Sequence, residues 1–173
     1  ETLAGWLGIG TENLHTIPTD GSCSMDLNLL EERIERLYGE KTLIAFIIAT
    51  FGSTDAFGID DIGAIRKIIE EKSSRYNMPV PQLHVDAAAG WSLCFLNEYD
   101  IESNEFGLSP EVVSVIKRLR RYSMGIQHAD SITLDFHKMG WGHYPSSAFI
   151  VYNRDDLKYL FRTMKQVPYF SEA

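Results

Sequence analysis

Lys138 stands directly after His137 and three residues beyond a strand-like run, Asp130 to Asp135 (DSITLD). A lysine so close behind a buried strand is unusual. Burial favours the neutral amine of a lysine and so makes it a nucleophile toward carbonyls. Such an amine can form a Schiff base. Asp86 ends a second strand-like run, Gln82 to Asp86 (QLHVD). An aspartate there can hold a cation. If the cation is a protonated pyridine nitrogen, the two residues describe pyridoxal phosphate, with the amine on its aldehyde and the carboxylate on its ring nitrogen. Ala87, Ala88, Ala89 and Gly90 follow Asp86, and small side chains let a flat ring lie close to the backbone. Thr54 follows a third strand-like run and can hydrogen-bond a ring substituent or a substrate carboxylate.

Each residue also has an ordinary reading. Lys138 alone could be a surface lysine, Asp86 a helix cap or ion-pair partner, and Thr54 a turn residue. What favours a site is convergence: in open α/β sheets ligands bind beyond the carboxyl ends of the strands. His84, His128 and His143 read as structural or rim residues. His84, Asp86 and His137 lack the compact spacing of a metal site. Trp91, Trp141, Tyr144 and Phe149 read as core or pocket wall. The run Lys117 to Arg121 (KRLRR) reads as the solvated end of a helix.

The elements that would position these groups alternate between strand-like and helix-like, which implies an α/β fold with a parallel sheet. Leu14 to Pro18 reads as a short strand, and Asp20-Gly21-Ser22 as a turn. Leu27 to Leu37 has helical periodicity. Thr42 to Thr50 (TLIAFIIAT) is a continuous apolar run, expected as a strand buried on both faces. A helix is expected from about Asp60, with acids at its N-terminus. Ser109 and Pro110 are placed to start a helix running to Arg121. Ser147 to Tyr152 is expected as a strand, and a last helix near Asp155.

The chain has 173 residues, 45% hydrophobic and 23% charged, with net charge −8 and a pI near 5.1. That acidity argues against general attraction to nucleic acid or anionic lipid. No apolar run is long enough to span a bilayer. Cys23 and Cys94 read as two packed, reduced thiols rather than a disulfide framework, and the expected location is the cytoplasm.

Several segments resemble the group II pyridoxal-phosphate-dependent decarboxylases, which include the glutamate, aromatic-amino-acid and tyrosine decarboxylases. HVDAAAG (His84 to Gly90) and ADSITLDFHK (Ala129 to Lys138) are similar to that group's paired signatures. ATFGSTDAFGIDDI (Ala49 to Ile62) resembles its ATxGTTxxGxxDxI segment. HTIPTDGSCSMDLNLLEERI (His15 to Ile34) and SSAFIVYNR (Ser146 to Arg154) are similar to flanking stretches, so the likeness covers nearly all of the chain in family order.

The resemblance implies a fold-type I large domain: a mostly parallel sheet flanked by helices. It implies Lys138 as the Schiff-base lysine, Asp86 on the pyridine nitrogen, Ala88 against one ring face and Thr54 at the cofactor. It places His137 near the phosphate or the catalytic proton path. Asp135 falls where some members carry Asn or Ser near the phosphate. An aspartate would repel a phosphate, so its role stays open. The expected activity is decarboxylation of an L-amino acid in a homodimer. Related sphingosine-phosphate lyases, which cleave a carbon–carbon bond, are the alternative, together with a non-catalytic remnant serving as an interaction module. Residues 1–173 correspond to part of the large domain. The family's phosphate loop and ring-stacking histidine would precede Glu1, and its small domain would follow Ala173. The stretch Asn97 to Gln127 is longer than in several members and reads as an insertion at the site rim or dimer surface. Such a piece alone is expected to be inactive.

Overall fold

The computed structural model describes residues 2–140 and 142–159. After a short helix α1 (Thr2–Trp6), the chain runs α2 (Leu27–Gly39), β1 (Phe46–Thr50), α3 (Ile62–Tyr76), β2 (Gln82–Asp86), α4 (Pro110–Gly125), β3 (Ser131–Asp135) and β4 (Ser147–Val151). Short 3-10 turns lie between, the longest at Gly90–Glu98. The strands form one sheet in the order β1-β2-β3-β4.

β1, β2 and β3 are parallel, and β4 returns antiparallel to β3. The sheet is therefore mixed rather than wholly parallel. Segment 136–146 is shorter than the dozen or so residues a parallel crossover needs. Residues in register share a face. Thr50, Asp86, Thr133 and Phe149 form one such row, and Ile48, His84, Ser131 and Val151 another.

α2 and α3 cover the opposite face. Their Leu30, Ile34, Tyr38, Ile62, Ile65 and Ile69 pack with Ala49, Leu83 and Val85 into the core. Each helix has a defined start. Asp26 accepts the amides of Asn28 and Leu29, and Asp61 accepts that of Ala64, satisfying groups that a helix leaves orphaned. Ser109 caps α4, with Pro110 at its first position. α3 ends at Asn77, whose φ of 50° is the left-handed conformation common at helix ends. A buried polar contact ties α2 to α3: Lys72, with 3% of its side chain exposed, bonds Glu35 at 2.8 Å and also pairs with Glu31. These carboxylates hold Lys72 above the usual ammonium range.

Four sequence expectations are corrected. Leu14 to Pro18 forms no strand. Only Phe46–Thr50 of the Thr42 to Thr50 run is strand, and it is buried on one face, with Phe46 and Ile48 44% and 49% exposed. Cys23 is exposed rather than packed. The basic run Lys117 to Arg121 is not wholly solvated or terminal: α4 continues to Gly125, and Arg120 donates to the carbonyls of Asn97 and Tyr99. Near Asp155 the described residues form a 3-10 turn, Arg154–Tyr159. The rest of the last expected helix, and Trp141, lie outside the described residues.

Candidate active site

The open face of the sheet gathers most of the polar groups singled out from the sequence. Asp86 is exposed at the carboxyl end of β2, level with Thr50 and Thr133. One of its oxygens accepts the amide of Ala88 at 3.0 Å. The other carries no hydrogen bond from a described residue. Asp135 lies two residues beyond Thr133, so on the same face, roughly 8 Å from Asp86 by strand spacing and rise. Lys138 sits in the turn after β3, and its Nζ reaches Asp135 Oδ2 at 3.1 Å. The ammonium therefore comes to the face that carries Asp86. Lys138 is not buried: 38% of its side chain is exposed, and it is ion-paired.

Asp135 is held firmly. Ser147, opposite it on β4, donates to Oδ1 at 2.6 Å. Its backbone carbonyl accepts the Trp91 indole N–H at 2.9 Å. The Ser147 hydroxyl, the largest influence, keeps the Asp135 carboxyl below its usual range; burial pushes it up, and the Lys138 ammonium adds to the lowering. His137 is largely buried. Its Nε2 lies 3.9 Å from Asp135 Oδ2, and its ring meets that of Tyr144 at 3.9 Å between centroids.

Between these groups His84 bonds Ser131 at 2.9 Å and Thr133 at 3.2 Å through its two ring nitrogens, and its ring stacks with Phe149. Burial pushes the His84 imidazole down, opposed by nearby Asp86. Among the described residues no group of three or more His, Cys, Asp or Glu is arranged to hold a metal.

Ala88 is half-buried just past Asp86, and Ala87 is fully buried. Gly90 permits a close approach that no other residue allows, since a Cβ there would stand 2.0 Å from the Phe51 carbonyl oxygen. The ends of β1 and β2 are joined by the Phe51 amide, which donates to the Asp86 carbonyl at 2.7 Å. Thr54 is exposed in the turn after β1 and bonds no described residue. Its neighbour Ser53 anchors that turn instead, its Oγ accepting the Gly58 amide at 2.8 Å.

Two supports were not singled out as such in the sequence. Ser147 orients Asp135. Asp60, only 6% exposed, accepts the amides of Thr50 at 2.7 Å and Met25 at 2.6 Å, fixing the end of β1. Burial, its largest influence, pushes the Asp60 carboxyl up, against those two bonds. Of the adjacent acids expected at the helix start, Asp61 is the cap and Asp60 the strut. The antiparallel register that pairs Ser147 with Asp135 has no counterpart in sequence spacing.

Residues 2–170 match the pyridoxal-dependent decarboxylase conserved domain. The chain belongs to this family. It is 30% identical over 155 residues to the L-2,4-diaminobutyrate decarboxylase of Acinetobacter baumannii, covering 90% of this chain and 25% of that protein. It is 30% identical over 179 residues to the L-tyrosine decarboxylase of Levilactobacillus brevis, covering 88% of this chain and 26% of that protein. Among solved structures it resembles the glutamate decarboxylase domain of diaminobutyrate-pyruvate transaminase and L-2,4-diaminobutyrate decarboxylase from Vibrio parahaemolyticus. The TM-score is 0.67 at 26% identity, over 92% of this chain and 28% of that one. The chain thus spans about a quarter of the length of the curated relatives it matches. No helix among the described residues is long and apolar enough to cross a membrane.

As a decarboxylase-family chain it offers residues that fit pyridoxal phosphate. A carboxylate with one oxygen that accepts no bond from a described residue and an amine paired to Asp135 share one open face, and a small residue, Ala88, follows the end of β2. A shallow cleft of about 260 Å³, lined in part by Ile17, Leu29 and Arg33, includes none of these groups.

Proposed function

We propose that the whole protein decarboxylates an L-amino acid, releasing its amine and carbon dioxide, with pyridoxal phosphate bound on the open face of the sheet. The observation that carries this reading is the placement of Asp86 and the Lys138 ammonium on that one face. When bound, the coenzyme supplies an aldehyde for an amine and a ring that accepts the electrons of the broken bond.

Asp86 would hold a proton on the ring nitrogen with the oxygen that accepts no bond from a described residue, while the Ala88 amide fixes the other. Lys138 would supply the amine for the aldehyde. Ala88 would pack against the ring, and Thr54 would hydrogen-bond at the rim of the site. His137, anchored through Nδ1 at the Ser146 carbonyl, 3.2 Å away, stands where it can pass a proton or meet the phosphate. The reading takes residues 1–173 as part of the large cofactor-binding domain. It takes the protein as a homodimer, from the family resemblance, in the cytoplasm, where two free thiols are stable. The relatives' names include both diaminobutyrate and tyrosine, and the substrate class proposed here is L-amino acids as a whole.

The test uses the intact protein with pyridoxal phosphate and a panel of L-amino acids. Amine and carbon dioxide are the expected products, lost in Lys138→Ala. An aldehyde product would replace decarboxylation with carbon–carbon cleavage. A wild-type protein that retains no coenzyme would end the proposal.

A further inference from the structure

The geometry points to Asp135 as the positioning residue of Lys138. We infer that its carboxylate, turned by Ser147 across the β3–β4 pair, holds Nζ on the open face whenever the amine is not engaged. The role assigned to this seat rests on the coenzyme reading above; the pair itself does not.

Asp135 is fixed before the lysine reaches it. Ser147 Oγ donates to Oδ1 at 2.6 Å, the Trp91 indole donates to the backbone carbonyl at 2.9 Å, and the next amide, Phe136 N, donates to the Ser146 carbonyl at 2.8 Å. Oδ2 is left for Nζ at 3.1 Å, with His137 Nε2 the other cationic candidate at 3.9 Å. On β2 the same face carries His84 and Asp86. A lysine stem has many rotamers, and a carboxylate held at 17% exposure selects those that keep Nζ on this face.

Two consequences follow. An ammonium has no lone pair for an aldehyde, so the pair restrains Lys138 until its proton leaves Nζ. An amine displaced by substrate has a prepared seat to return to once protonated. The same geometry argues against Asp135 as a phosphate ligand, since two anions in contact repel while a lysine is already in place.

The experiment acetylates the intact, coenzyme-free protein with limiting N-hydroxysuccinimidyl acetate and follows Lys138 by peptide mass spectrometry, with exposed Lys117 as internal reference. Asp135→Asn is expected to raise the Lys138 rate about two- to fivefold at neutral pH, leaving Lys117 unchanged. Ser147→Ala, which keeps the carboxylate but frees its orientation, should shift Lys138 in the same direction by less. Unchanged Lys138 reactivity in both variants overturns the inference. In parallel, the wild type is incubated with pyridoxal phosphate and reduced with borohydride. Failure to capture the coenzyme would sink the functional reading, while the acetylation rates would still decide the pair.

Discussion

On one face of the sheet Ala49, Leu83 and Val85 are wholly buried beneath α2 and α3, while on the other Ile48 and Phe149 remain 49% and 54% exposed. The buried face contains aliphatic residues that meet helix side chains at helical spacing. The open face carries Asp86, His84, Thr133 and Asp135; the Ala88 amide positions Asp86, and Ser147 of the neighbouring strand positions Asp135. The first face stabilises the fold. The second holds polar groups in fixed places at the cost of leaving apolar neighbours uncovered. Groups meant to react need orientation and access more than burial, and the two faces divide those demands.

If that division holds, substitutions on the two faces should fail differently. Lys138→Ala should lower decarboxylation by about three orders of magnitude or more, yet shift the urea midpoint little, because the side chain is partly exposed and removes no core contact. Ile65→Ala, beneath the sheet, should do the reverse. It should cost about 2–5 kcal/mol in denaturant unfolding while the folded fraction keeps its turnover. Asp60→Ala sits at the seam between the two. It strands the amides of Thr50 and Met25 and should cost about 2–3 kcal/mol, with a loss of turnover beyond the loss of folded protein, since the end of β1 loosens.

The smallest effect is one of pH. Glu35 is held below the usual carboxylate range, chiefly by its bond to Lys72. A depressed carboxylate contributes stability above its unfolded pKa and loses it as pH falls through the folded value. Wild type should therefore exceed Glu35→Gln in urea stability at neutral pH, and the gap should close as pH falls below the usual carboxylate range. Asp60, pushed upward, has the opposite sign: its ionisation subtracts stability as pH rises above the unfolded value. A gap that survives acid would mean that Lys72 is not the cause.

The buried face was largely legible in the sequence. Gln82 to Asp86 stands with the boundaries expected, and Ile62, Ile65 and Ile69 fall on the inner side of α3. Such periodicity is local, and burial follows from it. The open face was legible only as a set of residue types. The apolar run before Thr50 suggested cover on both sides, but an apolar side chain states a preference for burial without naming what provides it. The antiparallel return of β4 brings Ser147 opposite Asp135, a pairing that only register reveals. The role of Asp135 stayed open for that reason, since its partner lies twelve residues away in the chain. Thr54, singled out from its motif, sits exposed while Ser53 makes the turn's bond. Neighbouring hydroxyls in a turn cannot be told apart without the backbone path.

The central claim is that one amine on the open face, opposite Asp86, receives the coenzyme. Borohydride reduction of the intact protein with pyridoxal phosphate, followed by peptide mapping, tests it most directly. The coenzyme-derived mass should be found on Lys138 and disappear from the map in Lys138→Ala. The same mass fixed on another lysine, with Lys138 unmodified, would contradict the account.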